Sequence, residues 1–349
     1  GYETSVVGKW HLGLPTRARQ KPTPGDHGFD YWFATGNNAQ PSQKNPVTFV
    51  RNGTPVPKTE GYACQVVVDE AIMWLEEKRD PDRPFFLNVW FHEPHAPLAA
   101  PDDIVSQYGE LNNPAAIYSG TIDNTDRAIA RLLKKLEQVD APENTLIIYA
   151  SDNGLEQDPY MGHPPWGYIF GGDRGKISMY ELGFRTPLIF HWPGQIPAGQ
   201  RFSDLVSFED LYSTTLDYGG ATPGSLDTGI SLRARIEGSE GLVRDRIYGM
   251  MDRLRTRPEE YVPDSGFAGL TFYEWAGFAR TEDWRFVHYV ERDERELYRI
   301  EDDPLEQTNV LSEYPEIGQR LEDDLADWME RGFLVPEPSA DLLCRSGAW

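Results

Sequence analysis

Gly1-Tyr2-Glu3-Thr4-Ser5-Val6-Val7-Gly8-Lys9-Trp10-His11-Leu12-Gly13 opens the chain. The stretch reads as a short apolar strand running into a turn that presents a cation, Lys9, and an imidazole, His11, almost side by side. A strand that ends on charged, polar side chains is what an α/β sheet offers at the carboxyl ends of its strands, where such folds bind ligands.

Outward from it, more strands of the same kind appear. Residues 84–91, Pro84-Phe85-Phe86-Leu87-Asn88-Val89-Trp90-Phe91, form a continuous apolar run, as expected for a strand covered on both faces. Residues 145–150 and 186–191 repeat the pattern, while 28–33 and 47–50 are shorter pieces in a Pro-, Gly- and Asn-rich region over 14–65. Between them lie helical periods. Val67, Ala71, Trp74 and Leu75 share a face over 65–78. Residues 115–139 place Ile122, Ile129, Leu133 and Leu136 along one stripe, which puts Asp123, Asn124 and Asp126 on the solvated side, and Pro142 ends the run. Ser207-Phe208-Glu209-Asp210 starts another helix with a capping-box pattern, and Gly219-Gly220 ends it.

Strands alternating with helices predict an α/β core over 1–225, with a mostly parallel central sheet flanked by helices. The character changes after about residue 226. Residues 284–290 and 296–300 read as two antiparallel strands. Ser312 then caps a terminal helix carrying Ile317, Leu321, Leu325 and Trp328, so 226–349 is expected to be a small α+β subdomain.

The 349 residues carry a net charge of -23, with 39% hydrophobic residues and 12% aromatics, and the mean hydropathy is -0.55. That charge argues against nucleic acid and anionic membrane surfaces as partners, and no run of 18 apolar residues exists to span a bilayer. A site for an anion must therefore rest on a few local cations, with or without a metal. Cys64 and Cys344 form neither a disulfide framework nor a zinc pattern.

Three segments beside these strands carry candidate chemistry. Phe91-His92-Glu93-Pro94-His95-Ala96-Pro97 follows a strand, and its prolines stiffen the loop that holds His95. Ser151-Asp152-Asn153-Gly154 follows another; it sets a carboxylate and an amide oxygen on one turn, hard donors suited to Ca²⁺ or Mg²⁺, although Asn-Gly is also an ordinary turn pair. Lys176, in Gly175–Pro187, adds a second cation, while Glu181 and Arg185 stand at i and i+4 and are expected to pair with each other. His163, Trp166 and Tyr168 lie between the last two segments; they suit either stacking on a sugar ring or packing within their own loop. His27, His191 and His288 read as structural.

In this order, these segments resemble the type I sulfatases of the alkaline-phosphatase-like superfamily. The opening matches G-Y-x-T-x-x-x-G-K-W-H-x-G, residues 91–97 match F-x-x-P-H-x-P, 151–154 match S-D-N-G, and 175–187 match G-K-x-x-x-Y-E-x-G-x-R-x-P. Residues 296–309 are similar to E-L-Y-D-L-x-x-D-P-x-E-x-x-N, which extends the likeness to about residue 330. The resemblance implies hydrolysis of a sulfate ester, most simply on a sulfated carbohydrate. Lys9 and Lys176 would bind sulfate oxygens, His11 would assist the nucleophile, and His95 would contact the sulfate and serve the leaving group; His163, by its position alone and not by the resemblance, is a further candidate substrate contact. Asp152 and Asn153 would hold Ca²⁺, with Mg²⁺ as the alternative. The family nucleophile is a formylglycine made from Cys or Ser in C/S-x-P-x-R, upstream of the segment that opens this chain; neither Cys64 nor Cys344 sits in that motif. The upstream Asp pair that completes the metal site is expected there too, so residues 1–349 alone are expected not to turn over. The resemblance places the protein in the periplasm or outside the cell, or in the lysosome of an animal. A phosphonate or phosphate-ester hydrolase of the same superfamily, and a glycan-binding relic without a nucleophile, remain as alternatives.

Overall fold

The computed structural model describes residues 1–12, 14, 21–139, 144–154, 175–176, 178–222, 224, 228–239, 241, 243–256, 270–290 and 292–333. They fall into two compact units, Gly1–Thr145 and Leu146–Trp349.

The first unit is built on β1 (Glu3–Lys9), β2 (Tyr31–Thr35), β3 (Phe49–Arg51), β4 (Thr54–Pro55), α1 (Ala63–Met73), β5 (Phe85–Trp90), α2 (Asp102–Val105) and α3 (Pro114–Val139). The sheet runs in the order β4-β3-β2-β1-β5. Its centre is parallel, because β1 pairs with β2 and β5 in that sense, while β3 and β4 extend it as antiparallel strands. Alternation sends Val7, Tyr31 and Phe33 into a core with α1 and α3, and Val6, Trp32 and Ala34 into a second cluster with Trp10. Gly8, at φ 116°, is needed where it stands: a Cβ there would lie 1.8 Å from the Trp90 carbonyl oxygen. β5 is less covered than its apolar run predicts, since it pairs only with β1 among the described residues and leaves Phe86 and Trp90 exposed.

Two expectations about α3 are overturned. Ile122 and Leu133 are 45% and 37% exposed, and the buried face carries Gly120, Thr121, Asn124, Ala128 and Leu132 instead. Close approach is the reason. A Cβ on Gly120 would sit 3.0 Å from Val105, so this face takes small side chains where it meets α2, while Leu132 and Leu136 further along pack on the core. Asn124 is buried, not solvated; its amide nitrogen donates to Cys64 Sγ at 3.2 Å, and its oxygens accept from Gln65.

The second unit contains β6 (Ile147–Ala150), α4 (Glu181–Phe184), β7 (Leu188–His191), α5 (Phe208–Tyr218), α6 (Arg233–Ile236), β8 (Arg246–Thr256), β9 (Leu270–Thr281), β10 (Trp284–Tyr289), β11 (Glu294–Arg299) and α7 (Pro315–Phe333). β6 and β7 form an antiparallel pair. The capping box of α5 is present, with Asp210 accepting from the Ser207 amide at 2.7 Å. β11-β10-β9-β8 make a separate antiparallel sheet. One of its faces packs Ala279, Phe286 and Leu297 against Leu321 and Leu325 of α7; the other packs Phe278 and Val287 against Met179. The terminal helix begins at Pro315, where a residue without an N–H suits the first turn, rather than at a Ser312 cap. β8 and β9 escaped the sequence reading because charged residues and Gly249 and Gly277 blur their alternation. Gly249 is there for Phe278, whose ring would meet a Cβ at 2.3 Å. No helix among the described residues is long and apolar enough to cross a membrane.

Candidate functional site

Lys9 is the last residue of β1, in register with Thr35 at the end of β2. The chain leaves the strand through Trp10, which is 5% exposed and stacks on Trp90 with ring centroids 5.7 Å apart. Burial of that indole anchors the turn. His11 follows at φ 55°, in the left-handed region, and is exposed.

His95 reaches the same sheet edge from β5, the parallel neighbour of β1. Its amide donates to His92 O at 2.9 Å, and its carbonyl accepts from the side chain of Gln43, which is 1% exposed. Its Nδ1 lies 2.7 Å from Ala96 O. A carbonyl can only accept, so Nδ1 carries the hydrogen of this bond. Pro94 and Pro97 both follow cis peptide bonds.

Under this loop sits a histidine that sequence reasoning passed over. His92 is 2% exposed, and its Nε2 lies 2.7 Å from Thr35 Oγ1. Burial pushes its pKa down to about 3, helped by Lys9 and His95 nearby. The only sequence signal was its place two residues past the apolar run of β5. Glu93 is turned away from chemistry: its Oε1 accepts from the Cys64 amide at 2.8 Å, and burial raises its carboxyl. Burial also pushes the Cys64 thiol far up, so this cysteine is an inert core residue rather than a nucleophile.

In the second unit, Asp152 and Asn153 follow β6. Asn153 Nδ2 donates to Gly154 O at 2.8 Å, which commits the amide nitrogen to the backbone and leaves Oδ1 as the side-chain atom that could meet a cation. Asp152 is exposed on the same turn. Gly154 donates to Gly183 O at 3.0 Å, and a Cβ on it would meet Leu182 O at 1.7 Å, so the turn is locked against α4. Lys176 lies just before α4, half-buried, beside a turn in which Ser178 bonds back to Gly175 O. Glu181 forms the expected i,i+4 ion pair with Arg185 at 4.0 Å, and Arg285 at 2.7 Å and Arg280 at 3.0 Å stand closer still. His163, Trp166 and Tyr168 lie outside the described residues.

Asp152 and Asn153 supply two hard oxygen donors, whereas calcium takes about six to eight. Among the described residues no group of three or more His, Cys, Asp or Glu side chains is placed to hold a metal. The two residues fit one edge of a hard-cation site.

Comparison with known proteins gives a consistent result. A family model described as Sulfatase matches residues 1–221. The N-acetylgalactosamine-6-sulfatase of Canis lupus familiaris is 32% identical over 244 residues, which cover 64% of this chain and 44% of the relative. An uncharacterized sulfatase, YdeN, of Escherichia coli (strain K12) is 30% identical over 62% of this chain and 41% of the relative. The chain thus spans less than half the length of these curated relatives. Among solved structures, Ps i-CgsB in complex with k-i-k-neocarrahexaose is 25% identical; the match covers 94% of this chain and 71% of that one, with a TM-score of 0.72. BT4656, in complex with D-glucosamine-2-N,6-O-disulfate, shares the fold at a TM-score of 0.73 and 20% identity, over 97% of this chain and 81% of its own.

Proposed function

The chain belongs to the sulfatase family, and on that premise we propose that it contributes the sulfate-binding and leaving-group machinery of a hydrolase acting on a sulfated carbohydrate. One observation carries the proposal. Lys9 ends β1 and His95 follows β5, and the two strands are parallel neighbours with Gly8 in register with Trp90, so cation and imidazole emerge at the same carboxyl edge.

The chemistry asks for this pairing. A sulfate monoester holds its charge on the nonbridging oxygens while the S–O bond to the alcohol breaks. Fixed cations aimed at those oxygens stabilise the transition state, usually the largest electrostatic contribution. Lys9 and Lys176 take that role. The departing alkoxide needs a proton, and His95 as the imidazolium gives it from Nε2 and is left as the Nδ1–H tautomer, its ring held by the bond to Ala96 O. His11, on its exposed turn, serves the nucleophile, for which the family resemblance implies a formylglycine. A divalent cation, calcium with magnesium as the alternative, would be held in part by Asp152 and Asn153 and would supply Lewis-acid polarisation when bound. The carbohydrate substrate is supported by the N-acetylgalactosamine-6-sulfatase relatives and by the sugar complex of Ps i-CgsB. A periplasmic or extracellular location goes with that reading.

The test is sulfate release by the complete protein from 6-sulfated N-acetylgalactosamine and from 4-nitrophenyl sulfate, with the matching phosphate ester as comparator. Lys9→Ala and His95→Ala should each lower kcat/KM by about 10²-fold or more. Phosphate turnover exceeding sulfate turnover, or sulfate turnover indifferent to both substitutions, would defeat the proposal.

A further inference from the structure

The Lys176 segment is held from far along the chain. Arg285, on β10, is 1% exposed, hydrogen-bonds two acceptors and faces a second buried carboxylate. Its Nη1 donates to Met179 O at 3.0 Å, its Nη2 to Glu181 Oε2 at 2.7 Å, and its Nε lies 2.9 Å from Glu306 Oε1. Glu306, also 1% exposed, accepts the Glu181 backbone amide at 2.6 Å through its other oxygen. The guanidinium plane sits 4.2 Å from the centre of the Phe278 ring. Arg285 and Glu306 thus grip both the main chain and the side chain of the turn that enters α4. Tyr180 OH adds a bond to Glu296 at 2.9 Å, and the Met179 side chain is fully buried against the sheet. The grip is passed on, because Gly183 O in α4 accepts the amide of Gly154.

A buried charge pair of this kind is weak evidence for stability alone, since apolar residues of similar volume often serve as well. What the planar fork does that apolar packing cannot is hydrogen-bond two acceptors at set angles while its charge faces a third carboxylate oxygen. Burial disfavours the Glu181 carboxylate, but Arg285 and Arg280 outweigh it and hold the carboxyl below its usual range.

We propose that Arg285, with Glu306, is a positioning residue of the sulfate site: it fixes Gly175–Phe184, and through it Lys176 and the Asp152-Asn153-Gly154 turn, on the C-terminal antiparallel sheet. The functional half of this rests on the sulfatase reading; the anchoring half does not. Two arms separate them. Hydrogen exchange on the full chain should show Arg285→Met speeding exchange at Glu181, Gly183 and Gly154 by about tenfold or more, with β9, β10 and α7 as protected as in the wild type. Arg285→Lys, which keeps a charge beside Glu181, replaces it if the first variant does not fold. In the complete protein the same substitution should lower kcat/KM for 4-nitrophenyl sulfate about tenfold, mostly through KM, because a displaced Lys176 weakens sulfate binding. Unchanged exchange at those three amides, or equal loss across the whole sheet, overturns the anchoring. Normal exchange loss with unchanged kcat/KM overturns the positioning role. A wild-type protein that releases no sulfate sinks the sulfatase reading and leaves the exchange arm to decide the anchoring by itself.

Discussion

Thr35 Oγ1 and His92 Nε2 stand 2.7 Å apart in the interior, and the Thr35 hydroxyl donates its own hydrogen to Asn37 O. With that hydrogen spent, the threonine oxygen can only accept, so His92 is the Nε2–H tautomer and is neutral. Long-range proton–nitrogen NMR spectra should show one histidine in this form that does not titrate between pH 8 and 5, lost in His92→Asn.

The same histidine makes stability depend on pH. Its folded pKa of about 3 lies below its ordinary 6.5, so between those values the unfolded chain binds the extra proton. The contribution is complete above pH 6.5 and declines as pH falls, by about 1.4 kcal/mol per pH unit at most. Urea unfolding at pH 6.5 and pH 5 should differ by about 2 kcal/mol more in the wild type than in His92→Asn. Equal pH slopes for the two proteins would contradict this assignment.

Gly8→Ala places a methyl group where the Trp90 carbonyl oxygen already lies, 1.8 Å away, and also forces a left-handed φ on alanine. Separating β1 from β5 should cost about 3 kcal/mol. A loss below about 0.5 kcal/mol in denaturant unfolding would mean that the two strands are not in this register.

On α3, substitution at the expected stripe and at the observed face should diverge. Ile122→Gln should change stability by less than about 0.5 kcal/mol, whereas Asn124→Ala, which strands Gln65 and Cys64 partners, should cost about 2 kcal/mol. The reverse order would restore the apolar stripe as the buried face.

With two oxygen donors from Asp152 and Asn153, the 349-residue chain should bind calcium no more tightly than about 1 mM. Calorimetric titration checks this. A submillimolar isotherm that Asp152→Ala abolishes would show a more complete site than these two residues make.

How far could the residues alone be read? Local chemistry was legible. The capping box at Ser207, the Gly219-Gly220 stop and the strands at Lys9 and Trp90 are written in short-range patterns, since turn and cap preferences act over a few residues. The segments around Lys9, His95, Asp152 and Lys176 named a family from order and spacing. The sequence by itself therefore determined the family and which side chains stand as candidates, with Lys9, His95 and Asp152 at or just after strand ends. Only the tertiary structure decided the long-range partners: the His92–Thr35 pair, the buried face of α3, and the Arg285–Glu306 clamp, which stands closer to Glu181 than its helical neighbour Arg185. Those contacts join residues dozens to more than a hundred positions apart. No periodicity encodes them, because burial and hydrogen-bond partnership depend on which surfaces meet after the chain has folded.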